Sequence, residues 1–369
     1  RYLELSFQLW SYLAVMVRHI SRFGPQESAC LHTYGLNCFD VIESVYMIKL
    51  RSFFHSVVAS VWFKLVIAAS IIGLLAYFNR IDATVLGSLT ETWPWLLAAF
   101  LLMLPPFWIV AFRFKLILSS QGIYVPFRQA LRWTMIGSFF DLAMPSSNGG
   151  DFIKGGYVAA HVGPGLRMRA VMVVVFDRVI GLLGLFLLAA FASIIGWSFL
   201  KDLPARQLIV SISLAAGIVP LLAFRIAGAR RLYNNPHINR WCLGHKWRER
   251  LKQMIGAFNG LRENPKILFS ALILSVLNHT FWCVSLLFIV KAFGYTVEPF
   301  EGFVVFPLAI FSNIFGVSGG FGLGTAAFDF LLSNLLIIQN GALIGLSFQT
   351  LGALSRLFGL PFYLMEKSN

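Results

Sequence analysis

Six ionisable residues stand in or beside otherwise apolar stretches: Asp141, Asp151, Lys154, Asp177, Arg178 and Arg356. A charge at the centre of a membrane helix costs at least ~2.5 kcal/mol, so such residues have partners and usually a function. Asp177 and Arg178 lie well inside an apolar run that starts near Ala170, roughly 12 Å along a helix at about 1.5 Å per residue. Neighbours on a helix point in different directions, so each needs its own partner. Asp141 and Asp151 are the candidates for Arg178. The plainer reading of this set is an internal ion pair that only fixes helix packing.

Between two of these charges runs Pro145-Ser146-Ser147-Asn148-Gly149-Gly150-Asp151. It offers hydroxyls, an amide and free backbone N–H groups ahead of a helix start, and a helix N-terminus with exposed N–H groups binds phosphate. Asp151 competes for that positive end or caps it, while Lys154 restores positive charge one turn later. A glycine hinge with a capping Asp and no ligand is the alternative. A second break, from Gly316 to Gly324, looks like the first. Asp141-Leu-Ala-Met-Pro-Ser-(Ser-Asn)-Gly-Gly150 parallels Asn313-Ile-Phe-Gly-Val-Ser-Gly319-Gly320 across a two-residue gap. The candidate ligand-binding residues are therefore Pro145, Ser146, Asn148, Gly149, Gly150, Asp151, Lys154, Asp177, Arg178, Asn313, Gly319, Gly320 and Arg356.

No GxSxG, HExxH or P-loop pattern occurs, so no catalytic residue is nominated. Asn278 and His279 sit in an apolar span without a nearby nucleophile and read as interhelical hydrogen-bonding groups. Cys30, Cys38, Cys242 and Cys283 form no CxxC pair. Neither a metal site, a cofactor nor a disulfide framework is expected.

The elements that must position these residues are membrane helices. Of 369 residues 58% are hydrophobic and 12% charged, whereas a soluble domain is about 45–50% apolar and about 25% charged. Apolar spans are expected at 57–78, 93–112, 170–199, 207–224, 267–290, 323–339 and 341–364, each near the ~20 residues that cross about 30 Å of hydrocarbon. The net charge of +14 falls largely in loops. Residues 113–132 carry Arg113, Lys115, Arg128 and Arg132 without an acid, and residues 225–266 carry ten Lys or Arg against Glu249 and Glu263. Both loops should face the cytoplasm by the positive-inside rule, which accounts for the charge without nucleic acid. Within the second, Trp247, Leu251, Met254, Ile255, Phe258 and Leu261 recur at helical spacing, as in a basic amphipathic helix on the inner leaflet.

Trp133–Met144 and Phe303–Phe315 are too short to cross and run into the two Gly-rich breaks. Irregular backbone at membrane depth needs cover from protein or a watery cavity, so both are expected to be re-entrant half-helices. The order span, span, dip, span then occurs twice from opposite sides, the layout of an inverted repeat around a midplane site. The expected fold is an all-α integral membrane protein with about seven transmembrane helices and two re-entrant half-helices. Residues 1–46 have no sustained span and precede Met47-Ile-Lys-Leu-Arg. They read as an upstream extension, with the membrane domain occupying 47–369.

The run Gly137-Ser-Phe-Phe-Asp-Leu-Ala-Met-Pro-Ser-Ser-Asn-Gly-Gly-Asp-Phe-Ile-Lys154, with Val-Phe-Asp177-Arg178-Val-Ile-Gly-Leu after it, resembles the lysylphosphatidylglycerol synthase transmembrane region, a flippase-like membrane protein family. Ala111-Phe-Arg113-Phe-Lys-Leu-Ile-Leu and Gly319-Gly-Phe-Gly-Leu-Gly324-Thr-Ala-Ala-Phe328 look like further family motifs. The family commonly has Glu at the position of Thr325 and often Glu at 177. The resemblance implies movement of an anionic phospholipid or a polyprenyl-phosphate-linked glycolipid between leaflets of a prokaryotic inner membrane. It does not imply the synthase activity, which resides in a soluble domain after the last span. The rival readings are a membrane glycosyltransferase with a lipid-linked donor and an accessory subunit with no ligand.

Overall fold

The computed structural model describes residues 84–143, 149–163, 166–197, 256–316 and 320–367, with isolated positions at 70, 73, 77, 211 and 215. The chain divides between Ser60 and Val61, and every described residue belongs to the second part. Residues 1–46, nearly all of the spans expected at 57–78 and 207–224, and the basic loop up to 255 lie outside the described residues.

The regular elements are helices: α1 Thr84–Leu102, α2 Pro105–Ser120, α3 Phe127–Ala143, α4 Gly149–His161, α5 Arg167–Ile195, α6 Pro265–Ala292, α7 Pro299–Ser312 with a 3-10 turn Asn313–Phe315, α8 Leu323–Leu335, α9 Gly341–Leu357 and α10 Gly359–Lys367. Their starts follow from local chemistry. Proline opens α2, α6 and α7, where its missing N–H is no loss and its fixed φ suits the first turn. Among the described residues, four stretches are long and apolar enough to cross a membrane: Glu91–Ser120, Arg167–Ile195, Pro265–Ala292 and Gly341–Glu366. The described part is all-helical, and the protein is a multi-pass membrane protein.

Three sequence expectations change. The loop expected from 113 begins only after Ser120, so Arg113 and Lys115 are helical. The span expected at 323–339 is a helix of 13 residues. It stops where Ile337 adopts a left-handed φ of 56° and the Ile338 N–H returns to the Leu332 carbonyl at 3.1 Å. Those residues are all apolar, so hydropathy gives no sign of the stop. In the basic segment, Ala257, Phe258 and Leu261 pack into a protein core beside Phe176, Val173 and Leu118, with the Phe176 and Phe258 rings 4.9 Å apart. Protein, not a leaflet, covers the end of that apolar stripe.

The two halves run in register. Ser120 and Ala292 end α2 and α6, Phe127 and Pro299 open α3 and α7, and Ala143 and Phe315 close the following arms, each pair 172 positions apart. Past the breaks the separation is 174: Gly149 and Leu323, His161 and Leu335, Arg167 and Gly341. Hydrogen bonds repeat with the helices. Gly122 (φ 74°) and Gly294 (φ 81°) follow α2 and α6. Ile123 N–H donates to the Leu118 carbonyl, as Tyr295 N–H does to Val290, and Gly122 to Ser119 as Gly294 to Lys291. Only glycine adopts this left-handed cap without strain.

The equivalent helices α2 and α6 also pack on each other. Arg113 Nη1 donates to Ser275 Oγ at 3.0 Å, and Ser285 Oγ donates to the Ala99 carbonyl at 2.9 Å. The partner number falls as the residue number rises, so α1–α2 and α6 are antiparallel. Two apolar clusters form, and each draws residues from both halves, Leu261 and Ala271 joining one and Ala99 and Leu188 the other. One gathers Phe114, Trp133 and Val173, the other Phe306, Phe328 and Ile344.

Candidate functional site

Asp177 is buried on α5, and both of its oxygens are taken. Arg113 Nε donates to Oδ1 at 2.8 Å and Lys154 Nζ donates to Oδ2 at 2.9 Å. Arg113 comes from α2 and Lys154 from α4, so one carboxylate ties three helices. A fourth joins through Ser275 of α6, which accepts from Arg113 and donates to the Ile180 carbonyl at 2.9 Å. Lys154 also lies 3.5 Å from the centre of the Phe114 ring, a favourable seat for a desolvated cation. Two cations on one acid leave this cluster with one positive charge.

The neighbouring residues face elsewhere, as their helical positions require. Arg178 Nε pairs with Asp151 Oδ2 at 3.3 Å, and both side chains keep partial exposure, 40% and 25%. Asp151 is thus the Arg178 partner among the two candidates. Asp141, at the end of α3, accepts the Gly150 N–H at 2.9 Å. Arg356 interacts electrostatically with Asp141 and with Arg178. Gly150 is required at its position. A Cβ there would run into the Gly137 carbonyl oxygen of α3, because α3 and α4 meet backbone to backbone.

The second break is held by amides. Gln349 of α9 donates to Asn313 Oδ1 at 2.9 Å and to the Gly320 carbonyl at 3.0 Å, and accepts from Thr325 Oγ1 at 2.6 Å. Gly320 has φ 114°, again open only to glycine without strain. A Cβ on Gly324 would meet Asn313 Oδ1 at 2.5 Å and Gln349 Nε2 at 2.9 Å.

A cavity of ≈ 270 Å³ lies between the two breaks. From the first half Asp141, Gly150, Asp151, Lys154, Asp177 and Arg178 line it, and from the second Asn278, Asn313, Gln349 and Arg356. Four cations (Arg113, Lys154, Arg178, Arg356) stand against three carboxylates. Its remaining wall is largely apolar, including Phe107, Leu185, Trp282, Phe311 and Phe348.

The lysylphosphatidylglycerol synthase TM region matches residues 61–352. The chain belongs to this family. The match to the lysylphosphatidylglycerol synthase TM region covers every cavity residue except Arg356, four positions past its end. No curated protein and no solved structure matches the chain.

Of the residues singled out from sequence, Gly150, Asp151, Lys154, Asp177, Arg178, Asn313 and Arg356 line this one cavity. Gly149 opens α4 beside it, and the Gly320 carbonyl holds Gln349. Pro145, Ser146, Asn148 and Gly319 lie outside the described residues. Lys154 does not stand free at a helix start, because its ammonium is engaged by Asp177. Arg113 and Gln349 went unrecognised. Arg113 was legible in principle, because Phe114, Leu116, Ile117 and Leu118 continue the apolar run past it, which a loop would not do. Gln349 is a neutral polar residue in an apolar helix and carries no comparable signal.

Proposed function

We propose that this member of the lysylphosphatidylglycerol synthase TM region family binds the anionic headgroup of a phospholipid or polyprenyl-phosphate-linked glycolipid and carries it between leaflets of a prokaryotic inner membrane. The observation that carries this reading is the cavity. It lies between two helix breaks in a multi-pass membrane protein, and its lining holds one more cation than carboxylate. Arg178 and Arg356 are its phosphate ligands, since the planar guanidinium offers a fork that fits phosphate oxygens in pairs. The apolar wall suits the first carbons of the acyl or prenyl chain.

In the same reading, α3–α4 and α7–α8 are re-entrant pairs that enter from opposite faces, and the halves form an inverted repeat. The constant spacing of matched helices and caps supports the repeat, and the antiparallel packing of α2 on α6 supports the inversion. Gly-rich backbone then lies at depth only where it lines the cavity.

The test is leaflet exchange in proteoliposomes across a panel of labelled anionic and zwitterionic lipids, with wild type and Arg356→Ala compared at equal insertion. Exchange of an anionic lipid that falls about tenfold or more in Arg356→Ala supports the proposal. Exchange equal to that of protein-free vesicles for every lipid would sink it.

A further inference from the structure

Of the charged residues that line the cavity, two are left over once its ion pairs are assigned. Arg113 and Lys154 share Asp177, and Arg178 holds Asp151. Arg356 makes no hydrogen bond or ion pair among the described residues. Asp141 accepts one hydrogen bond, from the Gly150 N–H to Oδ1 at 2.9 Å, and is in no ion pair among the described residues. The spare acid comes from α3 and the spare base from α9, one from each half. Both are partly exposed on the cavity wall, and each attracts the other across the gap.

The helices that carry them are joined in a way that lets them approach. Helix α5 runs unbroken from Arg167 to Ile195, but its counterpart in the second half is divided at Phe358 into α9 and α10. Helix α10 is fastened to α3, since Glu366 pairs with Arg132 and the Tyr363 ring lies against Phe139 and Phe140. Gly359 sits on the Met135 carbonyl, where a Cβ would collide. Asp141 and α10 thus belong to one body, while Arg356 lies in the last turn of α9, across the joint. An unpaired charge away from water is costly, and opposite charges there attract over several ångströms. Resting on the reading of this cavity as an anionic headgroup site, we propose that Asp141 is the internal counterion of Arg356. In the empty cavity the guanidinium swings to the Asp141 oxygen that Gly150 leaves free, and α9 is drawn toward α3. An anionic ligand must displace that carboxylate, so its arrival frees the two helices from each other. Asp141 touches no ligand; it positions Arg356 and sets how tightly an anion is held.

The experiment uses the full chain in phosphatidylcholine nanodiscs and titrates phosphatidylmethanol, a lipid phosphodiester whose headgroup adds no donor of its own. Asparagine at position 141 keeps an oxygen for the Gly150 N–H but carries no charge. Asp141→Asn should therefore bind phosphatidylmethanol about tenfold tighter than the wild type, an ordinary size for two coupled events. In an Arg356→Gln background the same change should shift binding by less than about twofold, because two groups that no longer interact act independently. A gain of equal size in both backgrounds would overturn the counterion, since plain repulsion of the ligand needs no Arg356. The second measurement is melting of wild type, both single variants and the double variant in neutral detergent without anionic lipid. The double variant should melt no lower than the poorer single, as expected for two members of one contact. Additive losses in the lipid-free protein would overturn the proposal. If no form binds phosphatidylmethanol better than the host lipid, the headgroup reading fails, and the lipid-free cycle still decides whether Asp141 and Arg356 pair.

Discussion

At the end of α3 the Asp141 carboxylate accepts the Gly150 N–H; 172 positions later, at the end of α7, the Asn313 amide accepts from Gln349 and packs against Gly324. Both breaks thus place a short polar side chain against a glycine near the start of the following helix. From there the two regions diverge. The first is stitched by Arg113, Lys154 and Asp177 and by the Arg178–Asp151 pair. The second is stitched by Gln349, Thr325 and the Gly320 carbonyl. Charges pair strongly away from water but cost a great deal to bury, so the first network fails badly if one member is lost. Amides cost less and satisfy one another. Similar skeletons are thus held by different chemistry, ion pairs beside the first break and neutral amide and hydroxyl groups beside the second.

The sharpest way to break that contrast is Asp177→Leu, which leaves Arg113 and Lys154 buried without their acid. It should cost about 3–5 kcal/mol, read as unfolding in detergent. The triple change Arg113→Met, Lys154→Met and Asp177→Leu should recover most of the loss. The matching cut in the second half, Gln349→Leu, strands only neutral groups and should cost about 1–3 kcal/mol. If the two single changes destabilise equally, charge is not what separates the hairpins.

Smaller effects sharpen the same comparison. Gly150→Ala drives a methyl into the Gly137 backbone carbonyl and should cost roughly 1–3 kcal/mol as overpacking. Gly324→Ala meets side-chain tips of Asn313 and Gln349, which can yield, so its loss of melting temperature should be the lesser of the two. Arg178→Lys comes last in stability. Its pair with Asp151 is partly exposed, so about 0.2–1 kcal/mol is at stake. Yet exchange in vesicles should fall severalfold, because the bidentate fork is lost while the charge remains. Parallel loss of stability and exchange would mark Arg178 as packing rather than ligand.

Much of the fold could be read from sequence because lipid writes a simple code. Long apolar runs at 170–199, 267–290 and 341–364 match Arg167–Ile195, Pro265–Ala292 and Gly341–Glu366. The pairing of the two Gly-rich breaks was legible from Asp141 and Asn313, which end matching helical arms. What escaped is what hydropathy does not record. Ile337 stops α8 through its backbone, not its side chain. Arg113 looked like a loop cation because its acid lies 64 positions away. Asn278 and His279 were read as a pair of interhelical links. His279 reaches Gly181, but the Asn278 Oδ1 meets no donor among the described residues, and no one-dimensional pattern separates two adjacent polar residues in that way.

The order in which Asp177 meets its partners has a bearing on how the chain enters the bilayer. Arg113 and Lys154 precede it by 64 and 23 positions, so both cations are synthesised before the carboxylate. All three charges of this cluster therefore come from the N-terminal half. Ser275 of α6 arrives later and adds a hydroxyl, not a charge. Arg356 is a different matter, made 215 positions after Asp141. The charged cluster around Asp177 is thus complete early, and Arg356 is the last of the four cavity cations to be made.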